Sequence, residues 1–283
     1  MDATPEDLAQ FPNLTGKLKT LAAMTLALDR ASGKIMDKLV ELGIADNTII
    51  IFTSDHGLFM GEQGLGGKSL CYEKNTHVPL IVYDPRKHVK GRSNALVQSI
   101  DLAPTMLSLA GITIPTSMQG EDISPVIYHH TKTERDYVFT ENLWSTHFGN
   151  PRCEAIQDHD WKYIRYYKNN NMSATYKKQV AKELNIPINK ILYGVHDNDI
   201  VVYRDYLDAS LNGEPAVYEE LYHLASDPNE LINLANAKKH QEKLEQMRVQ
   251  WRPKLVAARG EDAPKVVRFT VDVANEKLTK KHQ

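Results

Sequence analysis

Apolar and polar residues follow one another along the first part of the chain with the spacings of helices and strands. Leucine and isoleucine recur at helical spacing from Leu18 to Leu42, and Gly43 is suited to end that helix. The continuous apolar run at 49–52 predicts a buried strand, of the kind typical of parallel sheets. The predicted elements are a helix over 18–42, strands over 48–54 and 80–83, and a helix over 101–111 capped by Asp101. This order of elements indicates an α/β layer.

The pattern changes after about residue 131, where short alternating segments replace the longer ones. Strands are predicted at 137–141, 154–157, 161–166 and 220–222, and an amphipathic helix at 236–256. Asp158-His159-Asp160 is typical of a hairpin connection, so we expect a small antiparallel sheet. The polar stretch 168–214 is interpreted as an insertion with a short helix at 173–184. We therefore predict two domains, 1–135 and 136–283.

The amino-acid composition excludes few classes of function. The chain has 283 residues, is 42% hydrophobic and 25% charged, and carries a formal net charge of -2, so nothing indicates nucleic acid as a partner. No apolar run is long enough to span a membrane, and the first residues lack the basic start and apolar core of a signal peptide, so no compartment is indicated. Cys71 and Cys153 allow one disulfide, but no spacing motif supports it.

Candidate chemistry lies where the first predicted strand ends. Asp55 and His56 follow that strand directly, and the carboxyl edge of an open α/β sheet is where ligands bind. An adjacent carboxylate and imidazole can hold a metal ion. Lys68 follows on a loop that Gly66 and Gly67 make flexible. A metal site and a lysine at one sheet edge predict a site for a tetrahedral oxyanion ester.

Longer stretches of sequence support a family resemblance. TSDHG, GEQGLGGKSLCYE and THVPLIVYDP stand in the order and spacing of the type I sulfatases, within the alkaline-phosphatase-like superfamily. SIDLAPTMLSLAGI, MQGEDISPVI, RCEAIQDHDWKYIRY and EELYHLASDPNELINLA resemble later segments of the same family. The resemblance covers roughly residues 15–255. It implies an α/β fold with an alkaline-phosphatase-like, mostly parallel sheet flanked by helices, and a smaller C-terminal α+β subdomain containing an antiparallel sheet.

The resemblance also implies roles for individual residues. Asp55 and His56 resemble the late metal ligands of the family, and we expect Ca²⁺ there, less readily Zn²⁺ or Mn²⁺. Lys68 resembles the lysine that binds the sulfate and stabilises charge in the transition state. Gln63 and His77 are expected to contact substrate. Gln63 stands where the family commonly has histidine and cannot shuttle protons, and His77 stands where many relatives carry arginine, so a structural role is the stronger expectation for His77.

A supporting role is expected for Glu73, which we predict to pair with a nearby cation or backbone group and so to orient the loop. Cys71 is interpreted as a small buried hydrophobic residue.

Other parts of the family pattern are absent from these residues. No Cys or Ser stands in the Cys/Ser-x-Pro/Ala-Ser-Arg motif that matures to formylglycine, and an early pair of aspartate ligands is missing. We therefore interpret the chain as the C-terminal portion of a sulfatase, inactive alone because the formylglycine nucleophile lies in the missing part. With half of the central sheet absent, the strand over 48–54 would expose an edge that favours aggregation or pairing with another chain.

Two other functions fit the same residues. One is a metal-dependent phosphodiesterase or phosphatase of the superfamily, and the other is a sulfatase-like module that binds without catalysis. For the sulfatase reading, the expected partner is a sulfated small molecule or carbohydrate.

Overall fold

The computed structural model describes residues 3–87, 89–129, 133, 135–142, 152–167, 182 and 209–260. They divide into two compact units. The N-terminal unit comprises the described residues of Met1–Ser54, Phe59–Gly66 and Pro79–Gly91. The C-terminal unit comprises those of Asp55–Leu58, Gly67–Val78 and Arg92–Gln283. The domain boundary between 135 and 136 stays a prediction.

The elements follow the chain in this order: α1 (Pro5–Ala9), α2 (Gly16–Glu41), β1 (Ile50–Thr53), β2 (Phe59–Met60), β3 (Gly66–Gly67), α3 (Glu73–Thr76), β4 (Leu80–Tyr83), α4 (Leu102–Leu109), α5 (Ser124–His129), β5 (Val138–Asn142), β6 (Arg152–Gln157), β7 (Trp161–Tyr167), β8 (Tyr218–His223) and α6 (Gln241–Arg259). Single 3₁₀ turns occupy Ala45–Asn47, Glu62–Gly64, Ser99–Asp101 and Lys238–His240. No helix in the described part of the chain is long and apolar enough to cross a membrane.

The long helix α2 confirms the prediction over 18–42 within two residues at each end. It ends at Gly43, whose φ of 69° lies in the left-handed region that glycine adopts without strain. The short helix α1 is not among the predicted elements. It forms because the Thr4 hydroxyl and the Asp7 carboxylate make a reciprocal capping box. Arg30 of α2 then donates to that same carboxylate, which joins the two helices.

The direction of β1 corrects one prediction. A parallel neighbour was expected for this strand, but within the described residues β1 pairs with β4, and the two run antiparallel with Ile50 opposite Tyr83. The reason lies in the connection: the chain leaves β1, forms a loop and the short helix α3, and returns in the opposite direction. A parallel pair needs a crossover that carries the chain back to the starting edge. The apolar run alone does not distinguish these cases.

The antiparallel sheet of the C-terminal unit confirms the predicted strands after residue 136. Its order is β5-β6-β7-β8, with every neighbouring pair antiparallel. The hairpin connection at 158–160 joins β6 to β7 as predicted, and the Asp158 carboxylate accepts from the backbone N–H groups of Asp160 and Trp161. The predicted helix at 173–184 lies outside the described residues apart from Lys182.

Helix α6 packs on this sheet and closes a hydrophobic core. The predicted residues Leu244, Met247 and Trp251 are all buried, as is Leu255 one turn further on. They pack with Ile156, Tyr163, Tyr167, Leu221 and Ala235. The helix begins later than predicted because the residues before Gln241 form a 3₁₀ turn.

Asp101 does not cap α4 by the predicted bond. Its buried carboxylate instead accepts from the backbone N–H groups of Gln98 and Glu121 and from the guanidinium of Arg135. The two Arg135 nitrogens lie 2.7 and 2.8 Å from the two carboxylate oxygens. This bidentate pair ties the start of α4 to the residues just before β5.

Candidate active site

Three predicted site residues lie together in the C-terminal unit. The Lys68 ammonium lies 2.9 Å from Nε2 of His56, and an Asp55 carboxylate oxygen lies 3.3 Å from the same nitrogen. The Asp55 side chain is 83% exposed and that of His56 is 37% exposed, so the group is open to solvent. The spacing of the motif therefore brings together a carboxylate, an imidazole and an ammonium, as the sequence predicted.

Hydrogen bonds fix the orientation of the imidazole. Nδ1 of His56 lies 2.8 Å from the carbonyl oxygen of Gly57, and a carbonyl can only accept, so Nδ1 carries the proton. Nε2 then presents its lone pair to Lys68. Metal-binding histidines commonly use one nitrogen to donate to a carbonyl and keep the other for the ion. The backbone N–H of His56 also donates to Asp55 at 2.9 Å, which holds the carboxylate beside the ring.

Electrostatics favours a cation at this point. The Nε2 lone pair and the Asp55 carboxylate are both acceptors and lie 3.3 Å apart, so neither can satisfy the other. A positive charge between or beside them relieves the repulsion. Lys68 supplies such a charge in this structure.

Gly57 allows the segment Asp55–Leu58 to lie directly against α3. A Cβ atom at this position would come within 1.9 Å of the Lys74 carbonyl oxygen, so any other residue would push α3 away. The Gly57 N–H donates to the Asn75 carbonyl at 2.8 Å. The glycine of the Asp-His-Gly motif therefore has a packing function, which places Asp55 and His56 beside α3.

The backbone after Lys68 is held in an uncommon conformation. Ser69 has a φ of 78°, which is rare for a residue with a side chain, and Gly67 just before the lysine has a φ of 86°. The amide of Asn142, at the end of β5, donates to the Ser69 carbonyl at 2.6 Å. The sheet thus fixes the direction in which the Lys68 side chain leaves the loop. Sequence patterns missed Asn142 because its partner lies 73 residues away.

A buried ion cluster supports α3 from the sheet side. Lys162 of β7 is almost fully buried and its ammonium lies 2.6 Å from Glu73 and 3.2 Å from Glu230. Glu230 also accepts from the backbone N–H of Glu73 at 2.6 Å. The prediction that Glu73 pairs with a cation is confirmed. Lys162 and Glu230 were missed because each looks like a surface residue in its local sequence.

The two carboxylates of this cluster differ in their acidity. Burial raises the pKa of Glu73, but Lys162, together with His77 and a hydrogen bond from Gln157, outweighs burial and brings that pKa below its ordinary value. For Glu230 burial dominates, and its pKa stays above the ordinary value despite Lys162. The same ammonium thus contacts two carboxylates whose pKa values shift in opposite directions.

His77 and Gln63 occupy different surroundings. His77 follows α3, has its side chain 78% exposed, and has Nδ1 3.0 Å from Glu73. Within the described residues its polar partner is therefore Glu73, which agrees with a structural role. Gln63 lies in the N-terminal unit, in the 3₁₀ turn Glu62–Gly64, with a φ of 56°. Substrate contacts by these two residues stay predictions.

The expected metal site stays a prediction. Asp55 and His56 offer one carboxylate and one imidazole nitrogen, oriented as described, and both are accepted ligands of divalent ions. Among the described residues, no group of three or more His, Cys, Asp or Glu side chains is placed to hold a metal. Since Ca²⁺ takes six to eight oxygen ligands, this pair supplies a fraction of a coordination shell.

Family models match two overlapping parts of the chain. The model described as sulfatase matches residues 5–112, and the model described as N-sulphoglucosamine sulphohydrolase, C-terminal, matches residues 61–193. The first match includes Asp55, His56 and Lys68. The chain belongs to the sulfatase family.

Individual relatives agree with this assignment. N-acetylglucosamine-6-O-sulfatase of Bacteroides thetaiotaomicron is 30% identical over 192 residues, which are 65% of this chain and 34% of that protein. The arylsulfatase of Clostridium perfringens is 27% identical over 227 residues, 78% of this chain and 36% of that protein. This sulfatase-family chain thus spans about a third of the length of these curated relatives.

A solved structure shows the same fold. It is a protein in complex with its substrate D-glucosamine-2-N,6-O-disulfate, with a TM-score of 0.64 and 23% identity over 93% of this chain and 47% of that one. The alkaline-phosphatase-like fold class predicted for this sulfatase-family chain is confirmed, with the antiparallel sheet in its C-terminal part.

Proposed function

We propose that the chain contributes to a site for sulfate ester hydrolysis, in which Asp55, His56 and Lys68 bind the sulfate group. The observation that carries this proposal is the convergence of the three side chains, with Lys68 2.9 Å and Asp55 3.3 Å from Nε2 of His56. Family membership supports sulfate ester hydrolysis as the reaction. The short distances support the assignment of these three residues to one site.

Lys68 is assigned the role of an oxyanion donor. Its ammonium has three N–H bonds and can donate to a sulfate oxygen and to the ester oxygen that leaves as an alkoxide. Charge on the leaving oxygen grows as the S–O bond breaks, so a donor aimed at it lowers the barrier more than it tightens substrate binding. Removing one such donor typically costs about 3–4 kcal/mol of transition-state stabilisation.

Asp55 and His56 are assigned to a divalent cation, for which we propose Ca²⁺. When bound, the ion supplies electrophilic polarisation of the sulfate oxygens. The chain's contribution is to keep the Asp55 carboxylate exposed and to leave Nε2 of His56 as an acceptor through the bond from Nδ1 to Gly57. No Cys or Ser of the sequence stands in a formylglycine motif, so no nucleophile is assigned among these residues.

A sulfated carbohydrate is the proposed substrate class. One relative is named for N-acetylglucosamine 6-O-sulfate, and one structural neighbour was solved with a glucosamine disulfate. The exposed position of Asp55 and Lys68 gives an extended, hydrophilic substrate access to the site.

Calorimetric titration of the 283-residue chain in Ca²⁺ tests this proposal. The ligands are glucosamine 6-sulfate, unsulfated glucosamine, glucosamine 6-phosphate and inorganic sulfate. We expect the two sulfated ligands to bind and glucosamine to give no heat. Asp55→Asn should weaken the Ca²⁺ dependence of that binding, while Asp46→Asn, on the 3₁₀ turn before β1, should leave it unchanged. Binding of no sulfated ligand at millimolar concentration would contradict the proposal.

Glucosamine 6-phosphate distinguishes the sulfatase proposal from its main alternative, a phosphodiesterase or phosphatase of the same superfamily. A phosphonate monoester hydrolase from Silicibacter pomeroyi shares the fold, with a TM-score of 0.59 and 20% identity over 93% of this chain and 46% of that one. If glucosamine 6-phosphate binds at least about tenfold more tightly than the 6-sulfate, a difference of about 1.4 kcal/mol, the site is built for phosphoryl esters instead.

The isolated chain is predicted to show no appreciable turnover. Because it contains no residue in a formylglycine motif, an aryl sulfate should be hydrolysed no faster than by the Lys68→Ala variant. A release of phenol well above that of the variant would show that the chain carries a nucleophile of its own.

A further inference from the structure

Two cysteines distant in sequence meet inside the C-terminal unit. The Sγ atoms of Cys71 and Cys153 lie 3.3 Å apart, and the residues are separated by 82 positions. Both are buried, with exposed fractions of 1% and 0%. They are the only cysteines of the chain, so neither has another partner for a bond within it.

The elements that carry these cysteines are firmly placed. Cys153 is the second residue of β6, opposite Asn142 of β5 and Tyr166 of β7, so it lies on an inner strand of the sheet. Cys71 lies between the Lys68 loop and α3. The Cys71 thiol is 3.9 Å from the carbonyl oxygen of Thr140, and Asn142 donates to Ser69 nearby. The sulfur contact thus follows from the packing of the loop on β5 and β6.

The distance suits a covalent bond. An S–S bond is about 2.05 Å long, so the two sulfurs need to approach by about 1.3 Å, which small side-chain rotations can provide. We propose that Cys71 and Cys153 form a disulfide during oxidative folding, and that this bond ties the loop carrying Lys68 to β6.

The reaction is thiol–disulfide exchange with a small-molecule disulfide such as oxidised glutathione. The thiolate of one cysteine attacks that disulfide and releases one small thiolate, which takes up a proton. The second cysteine then attacks the mixed disulfide at the protein sulfur and releases the second small thiolate, which takes the other proton. Two protein thiols are oxidised and one small disulfide is reduced to two thiols.

Because both sulfurs are buried in the folded protein, the disulfide has to form before folding is complete. The hydrogen bond with Cys153 and burial both raise the pKa of the Cys71 thiol, which makes Cys71 a poor nucleophile in the folded, reduced protein. A glutathione-sized reagent has no access to sulfurs that are this buried. The exchange therefore takes place while the loop is still unpacked, and the bond is then protected from reductants.

The consequence is a stabilised fold. The bond closes a loop of 82 residues in the unfolded chain, which removes much of its conformational freedom. We expect the oxidised protein to melt roughly 5–10 °C above the reduced protein.

The test refolds the full 283-residue chain from denaturant in two buffers, one with oxidised and reduced glutathione and one with excess dithiothreitol. Each sample is then denatured, alkylated without reduction, and analysed by intact mass and peptide mapping. We expect a peptide pair joined through Cys71 and Cys153 in the first buffer and two alkylated cysteines in the second. Two alkylated cysteines in both buffers, or links only between different chains, would overturn the proposal.

Single variants separate the bond from other effects of the oxidant. Cys71→Ala and Cys153→Ala each leave one thiol, so their melting temperatures should be the same in both buffers. If either variant gains as many degrees in glutathione as the unaltered chain, the bond is not the cause. Should a variant fail to fold, the mapping of the unaltered chain still decides.

Discussion

The antiparallel sheet of the C-terminal unit and the long helix α2 carry equally clear apolar patterns, but they differ in what covers those patterns. In β6 five of six residues are buried, and helix α6 closes the core over the sheet. Within the described chain α2 buries only Ala23 and Ala27 and leaves Leu18, Ile35 and Val40 60–69% exposed. Hydrophobic periodicity therefore predicts whether a segment is a helix or a strand. How deeply the segment is buried depends on other elements packing against it, which the local sequence does not reveal.

Charged residues sharpen the contrast. The C-terminal unit encloses Lys162 with Glu73 and Glu230, and it encloses Glu154 with Arg259 and the indole of Trp251. In α2 the charged residues are exposed except for the half-buried Lys19, and Arg30 binds the buried Asp7. A buried charge is tolerated only with its partners in place, so the C-terminal unit should be the more sensitive to single polar substitutions.

The largest effect is expected from Lys162→Met. It leaves the buried Glu230 and the half-buried Glu73 without their cation, and breaking such a pair costs about 3–5 kcal/mol of the free energy of unfolding. The melting temperature should fall by about 6–15 °C in a calorimetric scan. Lys74→Met, on the exposed face of α3, is the matched control and should change it little. An equal fall in melting temperature for both variants would contradict a special stabilising role of the buried Lys162.

Paired leucine substitutions compare the two regions directly. Leu255→Ala in α6 removes a fully buried side chain and should cost about 2–5 kcal/mol in denaturant unfolding. Leu18→Ala in α2 removes a side chain that is 60% exposed, and its cost should stay within about 0.5 kcal/mol. A cost at Leu18 as large as that at Leu255 would mean that α2 is covered in solution.

A smaller effect is expected from Asn142→Ala. The substitution removes the hydrogen bond to the Ser69 carbonyl, which costs about 1 kcal/mol of stability. Because that bond holds the backbone next to Lys68, sulfate binding in calorimetry should weaken several-fold as well. A loss of stability with unchanged sulfate affinity would show that the Asn142 hydrogen bond does not position Lys68 for sulfate binding.

Much of the fold was predictable because its elements have strong local signals. The helix α2, the strands β4 to β8 and the helix α6 were predicted to within a few residues. The four-residue helix α3 was not, because it is too short to show a period and is held by contacts with Gly57 and Lys162. The antiparallel direction of β1 was missed because an apolar run does not encode strand direction.

The candidate site was predictable where it is local in sequence. Asp55 and His56 are adjacent, and Lys68 lies on the loop that follows, so their convergence with one another required no distant contact. The supporting residues Asn142, Lys162 and Glu230 lie 73 to 157 positions away from the groups they hold. No local pattern could identify them, since each becomes recognisable only when the sheet packs against the loop.

The most direct test of the central claim compares two lysines in sulfate binding. Calorimetric titration of sulfate in the presence of Ca²⁺ is carried out on the unaltered chain, Lys68→Ala and Lys74→Ala, which change the net charge equally. Because a hydrogen bond to a charged group contributes about 1.5–3 kcal/mol, Lys68→Ala should weaken binding at least about tenfold. Lys74→Ala should stay within about twofold. Equal affinity of the Lys68→Ala variant and the unaltered chain would contradict a sulfate site built from Asp55, His56 and Lys68.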